Sequence, residues 1–157
     1  MTSSSFRGTG VALVTPFKSN DDIDYDALNK VLEHVITGCI DYLVVMGTTA
    51  ESVTLSNEES QKLVEHINAY NNGKLPIVFG IGGNNTRSIV SKLSSMDQSS
   101  IDGVLSVSPY YNKPSQNGIY EHYKAIAGAT DKPVVIYNVP GRTGRNICPE
   151  TTLKLAT

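Results

Sequence analysis

Short unbroken apolar runs alternate along this chain with stretches whose apolar residues recur every three or four positions. Val11-Ala-Leu-Val-Thr15 is the first run, and Pro16 closes it. Asp24 is placed to cap a helix with Leu28, Val31, Leu32, Val35 and Ile36 on one face, and Gly38 stops it. Tyr42-Leu-Val-Val-Met46 follows, ending at Gly47-Thr48-Thr49. Ser56 and Glu59 then form a capping box for a helix striped by Leu63, Val64 and Ile67. Ile77-Val-Phe79 runs into Gly80-Ile-Gly-Gly83, and Ile89, Val90, Leu93 and Met96 mark the next helix. Gly103-Val-Leu-Ser-Val107 leads to Ser108-Pro-Tyr-Tyr111, with Ser115 capping a helix that carries Ile119, Tyr123 and Ile126. Pro133-Val-Val-Ile-Tyr137 is a fifth strand without alternation, as one buried on both faces should be. Asn138 to Gly144 read as a turn, and Pro149 suits the first turn of a last helix.

Five strand–helix units of roughly 30 residues predict a parallel sheet. An open doubly wound sheet and a (β/α) barrel compete. A complete eight-unit barrel takes about 250 residues, and Leu153-Lys-Leu-Ala-Thr157 ends in mid-pattern with no helix stop signal. The expected fold class is therefore α/β: the first five strand–helix units of a (β/α)8 TIM barrel, truncated before the sixth strand, as one partial domain over residues 1–157.

A formal net charge of −2 leaves no basic excess for coating phosphates, so nucleic acid is not an expected partner. No apolar run reaches the roughly 20 residues of a membrane span, and Met1-Thr-Ser-Ser-Ser-Phe6 lacks the apolar core of a signal peptide. Cys39 and Cys148 form no paired motif and read as reduced residues. The expected location is the cytoplasm.

Chemistry concentrates where strands end, which is where parallel α/β folds bind ligands. Gly80-Ile-Gly-Gly-Asn-Asn85 nearly matches a dinucleotide loop, but Asn85 holds the last glycine's place and Asp102 precedes its strand. A glycine turn allowing close backbone approach explains it better. In Gly47-Thr-Thr-Ala-Glu-Ser52, two hydroxyls and several N–H groups can hold a carboxylate, although threonines also satisfy local backbone groups. Tyr110 and Tyr111 add phenols whose hydroxyls need partners, with Thr48 and Tyr137 as candidates. A Tyr–Thr–Tyr chain would move protons, but paired tyrosines also serve packing.

Gly47-Thr-Thr-Ala-Glu-Ser52, Ser108-Pro-Tyr-Tyr-Asn-Lys-Pro114 and Tyr137-Asn-Val-Pro-Gly-Arg-Thr-Gly144 together resemble the dihydrodipicolinate synthase / N-acetylneuraminate lyase family, on its synthase side, from Phe6 onward. Thr48-Thr49 and Arg142 favour the synthases, because the lyases typically carry Ser-Thr and lack that arginine. The resemblance implies a lyase of lysine and diaminopimelate biosynthesis. Pyruvate would be bound as a Schiff base on a barrel lysine and condensed with aspartate semialdehyde to 4-hydroxy-tetrahydrodipicolinate. No metal or other cofactor is expected. Tyr137 would be the acid–base residue, and Thr48 would link it to Tyr111, which enters a neighbouring subunit's site in a homo-oligomer, a dimer or a dimer of dimers. Thr49 would hold the pyruvate carboxylate, and Arg142 the carboxylate of the semialdehyde.

The chain departs from the family at Ala50, where glycine is usual, a change that matters if the position needs positive φ. It also has Asn57, Ser60 and Ser88 where lysine-inhibited members carry histidines and a glutamate, and Asn84 alone builds no cation site. Weak or absent inhibition by lysine is expected. The family's Schiff-base lysine lies at the end of the sixth strand and is not among these residues. Lys30, Lys62, Lys92, Lys124 and Lys154 fall on helical faces, Lys18, Lys74 and Lys132 in loops, and Lys113 in an exposed turn. None has the desolvation or cationic neighbour that makes an amine nucleophilic. The chain alone is thus expected to be inactive. The rival is a non-catalytic half-barrel serving binding or oligomerisation. A flavodoxin-like sheet fits the unit count but would need a phosphate loop where Thr15-Pro-Phe17 stands.

Overall fold

A computed structural model describes residues 6–157. Five strands alternate with helices, and the chain divides into two compact units. The first comprises the chain up to Gly80 together with Ser100–Asp102, and the second Ile81–Ser99 with Gly103–Thr157.

In the first unit, β1 (Gly10–Ala12), β2 (Tyr42–Val45) and β3 (Ile77–Gly80) are parallel, with Ala12 opposite Val44 and Val44 opposite Val78. β1 is shorter than its apolar run. The Leu13 N–H still reaches the Val44 carbonyl at 3.0 Å, but the chain then leaves the ladder toward Pro16. Asp24 accepts a hydrogen bond from the Ala27 N–H and starts α1 (Tyr25–Thr37). Ser56 and Glu59 exchange both hydrogen bonds of the predicted capping box at the start of α2 (Asn57–Asn71). Leu28, Leu32, Leu43 and Leu63 form the core, each at most 1% exposed. Burial of each contributes about 1.5–3 kcal/mol. Asp102 accepts from the Ile77 N–H at 2.8 Å, which gives this carboxylate a structural role at the entry to β3.

In the second unit β4 (Gly103–Val107) pairs in parallel with β5 (Val134–Tyr137), Val107 opposite Tyr137. Three helices are long: α3 (Thr86–Ser95), α4 (Gln116–Ala127) and α6 (Pro149–Ala156). Ser115 caps α4 and Pro149 opens α6, as the sequence predicts. Asn85, read above as a failed phosphate-loop glycine, is the cap of α3 through the Ser88 N–H. Ile119, Tyr123 and Ile147 pack beneath Val134, Ile136 and Leu155. The Tyr123 hydroxyl donates to the Ser106 carbonyl at 3.0 Å, and burial raises the pKa of its phenol.

Two expectations fail here. β5 is not buried on both faces, since Val135 and Tyr137 are 37% and 38% exposed. Nothing among the described residues of this unit covers that face. The stretch from Asn138 to Gly144 is not wholly irregular either. Pro140–Thr143 forms one helical turn, α5, because Pro140 at its start gives up no intrahelical hydrogen bond and Gly144, at φ +69°, closes it.

Candidate functional site

The two units carry separate groups of the residues singled out above. In the first, Met46 follows β2 at φ +58°, and Thr48–Ala50 form a single 3-10 turn closed by Glu51 at φ +53°. The Ala50 N–H bonds the Gly47 carbonyl at 3.1 Å and the Glu51 N–H bonds that of Thr48 at 3.0 Å. The left-handed positions therefore fall on Met46 and Glu51, and Ala50 is right-handed and buried. Alanine in place of the family's glycine costs no backbone strain at this point. Thr48 and Thr49 are exposed, and neither hydroxyl is spent on a backbone group among the described residues. That separates them from Thr54, whose hydroxyl bonds the Glu51 carbonyl at 2.8 Å. Two adjacent unspent hydroxyls on a closed turn are suited to an oxygen-rich ligand.

Gly80, at the end of β3, lies directly against this segment. A Cβ there would stand 2.5 Å from the Met46 carbonyl oxygen and 2.8 Å from the Gly47 nitrogen. The glycine-rich stretch is thus a close-approach device, the reading preferred over a dinucleotide loop.

In the second unit, Ser108 and Pro109 are buried at the exit of β4, and the chain then turns outward. Tyr110 is 36% exposed and Tyr111 88%, with Tyr111 at φ +70° and Lys113 at φ +47°. Left-handed backbone at two non-glycine residues of one turn stores strain, of order 1 kcal/mol or more at each. The hydroxyls of Tyr111 and Tyr137 are not joined to each other, so no phenol relay exists within this unit. Tyr137 closes β5. Beyond it, Asn138 donates to Asn146 at 2.8 Å and accepts from the Ile147 N–H at 3.2 Å. Thr143, 2% exposed, donates to the Arg145 carbonyl at 2.7 Å. These bonds fix α5, on which Arg142 stands exposed. Gln116 ties the same loop to α4, donating to the Asn146 carbonyl at 2.8 Å and accepting from the Cys148 N–H at 3.0 Å and the Thr151 hydroxyl at 2.8 Å. Asn138, Gln116 and Thr143 were not singled out in the sequence; Asn138 and Thr143 flank the Pro140-Gly141 turn, the one signal they offer, and Gln116 offers none. Lys113 is exposed and its stem lies across Gly144, where a Cβ would meet its Cε at 3.0 Å.

Parallel strands with a helix after each, and hydroxyl, phenol and guanidinium groups just past the strand ends, are the pattern of the (β/α)-barrel class. Residues 5–157 match the family model described as the dihydrodipicolinate synthetase family, and the chain belongs to that family. It is 56% identical over 152 residues to the 4-hydroxy-tetrahydrodipicolinate synthase of Flavobacterium psychrophilum, a match covering 97% of this chain and 52% of that protein. The crystal structure of dihydrodipicolinate synthase from Thermotoga maritima matches with TM-score 0.92 and 42% identity, over 97% of this chain and 51% of that one. The chloride-inhibited enzyme from Acinetobacter baumannii, solved in complex with pyruvate, matches with TM-score 0.90 and 41% identity, over 95% and 51%. The chain spans about half the length of these relatives.

Proposed function

We propose that these residues supply the first five strand–helix units of a 4-hydroxy-tetrahydrodipicolinate synthase, in the cytoplasm and within a homo-oligomer. Pyruvate and aspartate semialdehyde are the substrates of this reading. Thr49 holds the pyruvate carboxylate, and Arg142 receives that of the semialdehyde through its planar fork. Tyr137 gives and takes the proton as the imine forms and water leaves. Thr48 links Tyr137 to Tyr111, the latter acting on a neighbouring subunit's site. The attacking amine comes from outside these 157 residues.

The observation that carries this reading is the pair of unspent hydroxyls of Thr48 and Thr49, held on a closed turn in a chain of this family. Asn57 and Ser88 are exposed and Ser60 is buried and uncharged, so the reading includes weak inhibition by lysine. Half-inhibition below about 1 mM, an affinity near −4 kcal/mol, would contradict that clause.

Fragment complementation tests the proposal. The chain is produced together with the part of the Flavobacterium psychrophilum relative that lies beyond the matched region. Product formation from pyruvate and aspartate semialdehyde is then followed. The expected result is activity with both pieces, lost in Tyr137→Phe and in Thr49→Val. A stable complex with no activity and no pyruvate binding would favour the non-catalytic half-barrel instead.

A further inference from the structure

Thr15 lies just past β1, 5% exposed, and its hydroxyl donates to the Ala50 carbonyl at 2.7 Å across 35 residues of sequence. No other donor reaches that carbonyl among the described residues, and Ala50 itself is 2% exposed. A buried carbonyl that loses its sole donor pays the full desolvation cost, so this bond fixes where the 3-10 turn ends. On the other side Gly80 leaves no room for the turn to move back, since even a methyl group would strike the Met46 carbonyl. Thr48 and Thr49 are thus held between a hydroxyl just past β1 and a bare backbone from β3, and their own hydroxyls bond to neither.

We infer that Thr15 is a positioning residue, with Gly80 as its opposing wall: together they set the direction of the Thr48 and Thr49 hydroxyls toward a carboxylate. The role assigned to that carboxylate rests on the function proposed above; the clamp itself does not. Thr15 contacts no ligand in this account and acts only through Ala50.

The test is amide hydrogen exchange in the 157-residue chain complemented as above, comparing wild type with Thr15→Val and Thr15→Ser and following pyruvate by amide shifts in the same complex. Valine keeps the shape and removes the donor. Exchange at Ala50 and Glu51 is expected to quicken about tenfold in Thr15→Val, with serine restoring the wild-type rate and Leu13 and Leu43 unchanged. Gly80→Ala, which keeps the threonine bond, is expected to shift the Thr48 and Thr49 amide resonances. The inference is overturned if Ala50 and Glu51 keep their wild-type rate in Thr15→Val, or quicken no more than Leu13 and Leu43. It is equally overturned if they are unprotected in wild type. A clamp effect without any pyruvate shift at Thr49 in wild type leaves the inference standing and counts against the functional reading. Both effects together, with the pyruvate shift weakened in Thr15→Val and restored in Thr15→Ser, support both.

Discussion

Thr48 and Thr49 stand on a turn set against buried neighbours, Thr15 and Gly80, whereas Tyr111 stands on an exposed turn held by long surface bonds, from Asn112 to the Asn84 carbonyl at 3.5 Å and from Arg145 to the Lys113 carbonyl at 3.3 Å. The first turn places its left-handed residues at its borders and keeps the threonines in relaxed backbone. The second puts φ +70° on Tyr111 itself and leaves its ring 88% exposed. A turn that binds a small anion must be rigid before the ligand arrives, because ordering it afterwards would weaken binding. An exposed, strained tyrosine is instead poised to be covered by something else, which agrees with a proposed role across a subunit boundary. Under the proposed function, the difference between the loops separates a preorganised contact from one that a neighbouring subunit would complete.

Removing the foundation of the rigid turn has the largest expected effect. Leu43→Ala, at a fully buried position of β2, should cost about 2–5 kcal/mol in urea unfolding and release the threonine turn with it. A loss under about 1 kcal/mol would mean that the turn does not depend on its strand.

Acid should weaken the other unit first. His122 is 2% exposed in α4, with Nδ1 at 2.8 Å from the Thr86 hydroxyl and Nε2 lacking a partner. Burial lowers its pKa, and the nearby Val107 backbone, favouring the charged form, opposes this in smaller measure. The unfolded chain then binds the extra proton more readily than the folded one, so stability rises with pH. The contribution is fully present above the ordinary histidine value of 6.5 and is lost as pH falls below it. Unfolding followed from pH 7.5 to 5 should show the loss in wild type and a flatter profile in His122→Gln. A flat wild-type profile would contradict this.

Smaller effects sharpen the contrast. Ser56→Ala breaks the capping box that starts α2 and should cost about 1 kcal/mol. Tyr111→Phe should leave stability within about 0.5 kcal/mol, as expected for an exposed side chain. A clear destabilisation by Tyr111→Phe would show that the tyrosine hydroxyl itself helps to anchor its turn.

Local chemistry was legible in the sequence, and contacts between distant segments were not. Asp24, Ser56 with Glu59, Ser115 and Pro149 announced their helices because a cap is made within a few residues. Asn85 is equally local but sat inside a run of glycines that resembled a phosphate loop. The bond from Thr15 to Ala50 and the clamp of Gln116 on the loop after β5 span more than thirty residues, and no periodicity records them. The unbroken apolar run of β5 predicted cover on two faces, yet only Val134 and Ile136 pack against the described helices. Composition says that a strand can be buried, not which layer is present to bury it.

The measurement that tests the account most directly is the mass of each polypeptide after the complemented pair is treated with pyruvate and borohydride, which reduces an imine to a stable amine. One pyruvyl adduct is expected on the complementing piece and none on this chain, whose lysines are exposed except for the half-buried Lys132. An adduct on any lysine of this chain, or none on either piece of an assembled pair, would contradict it.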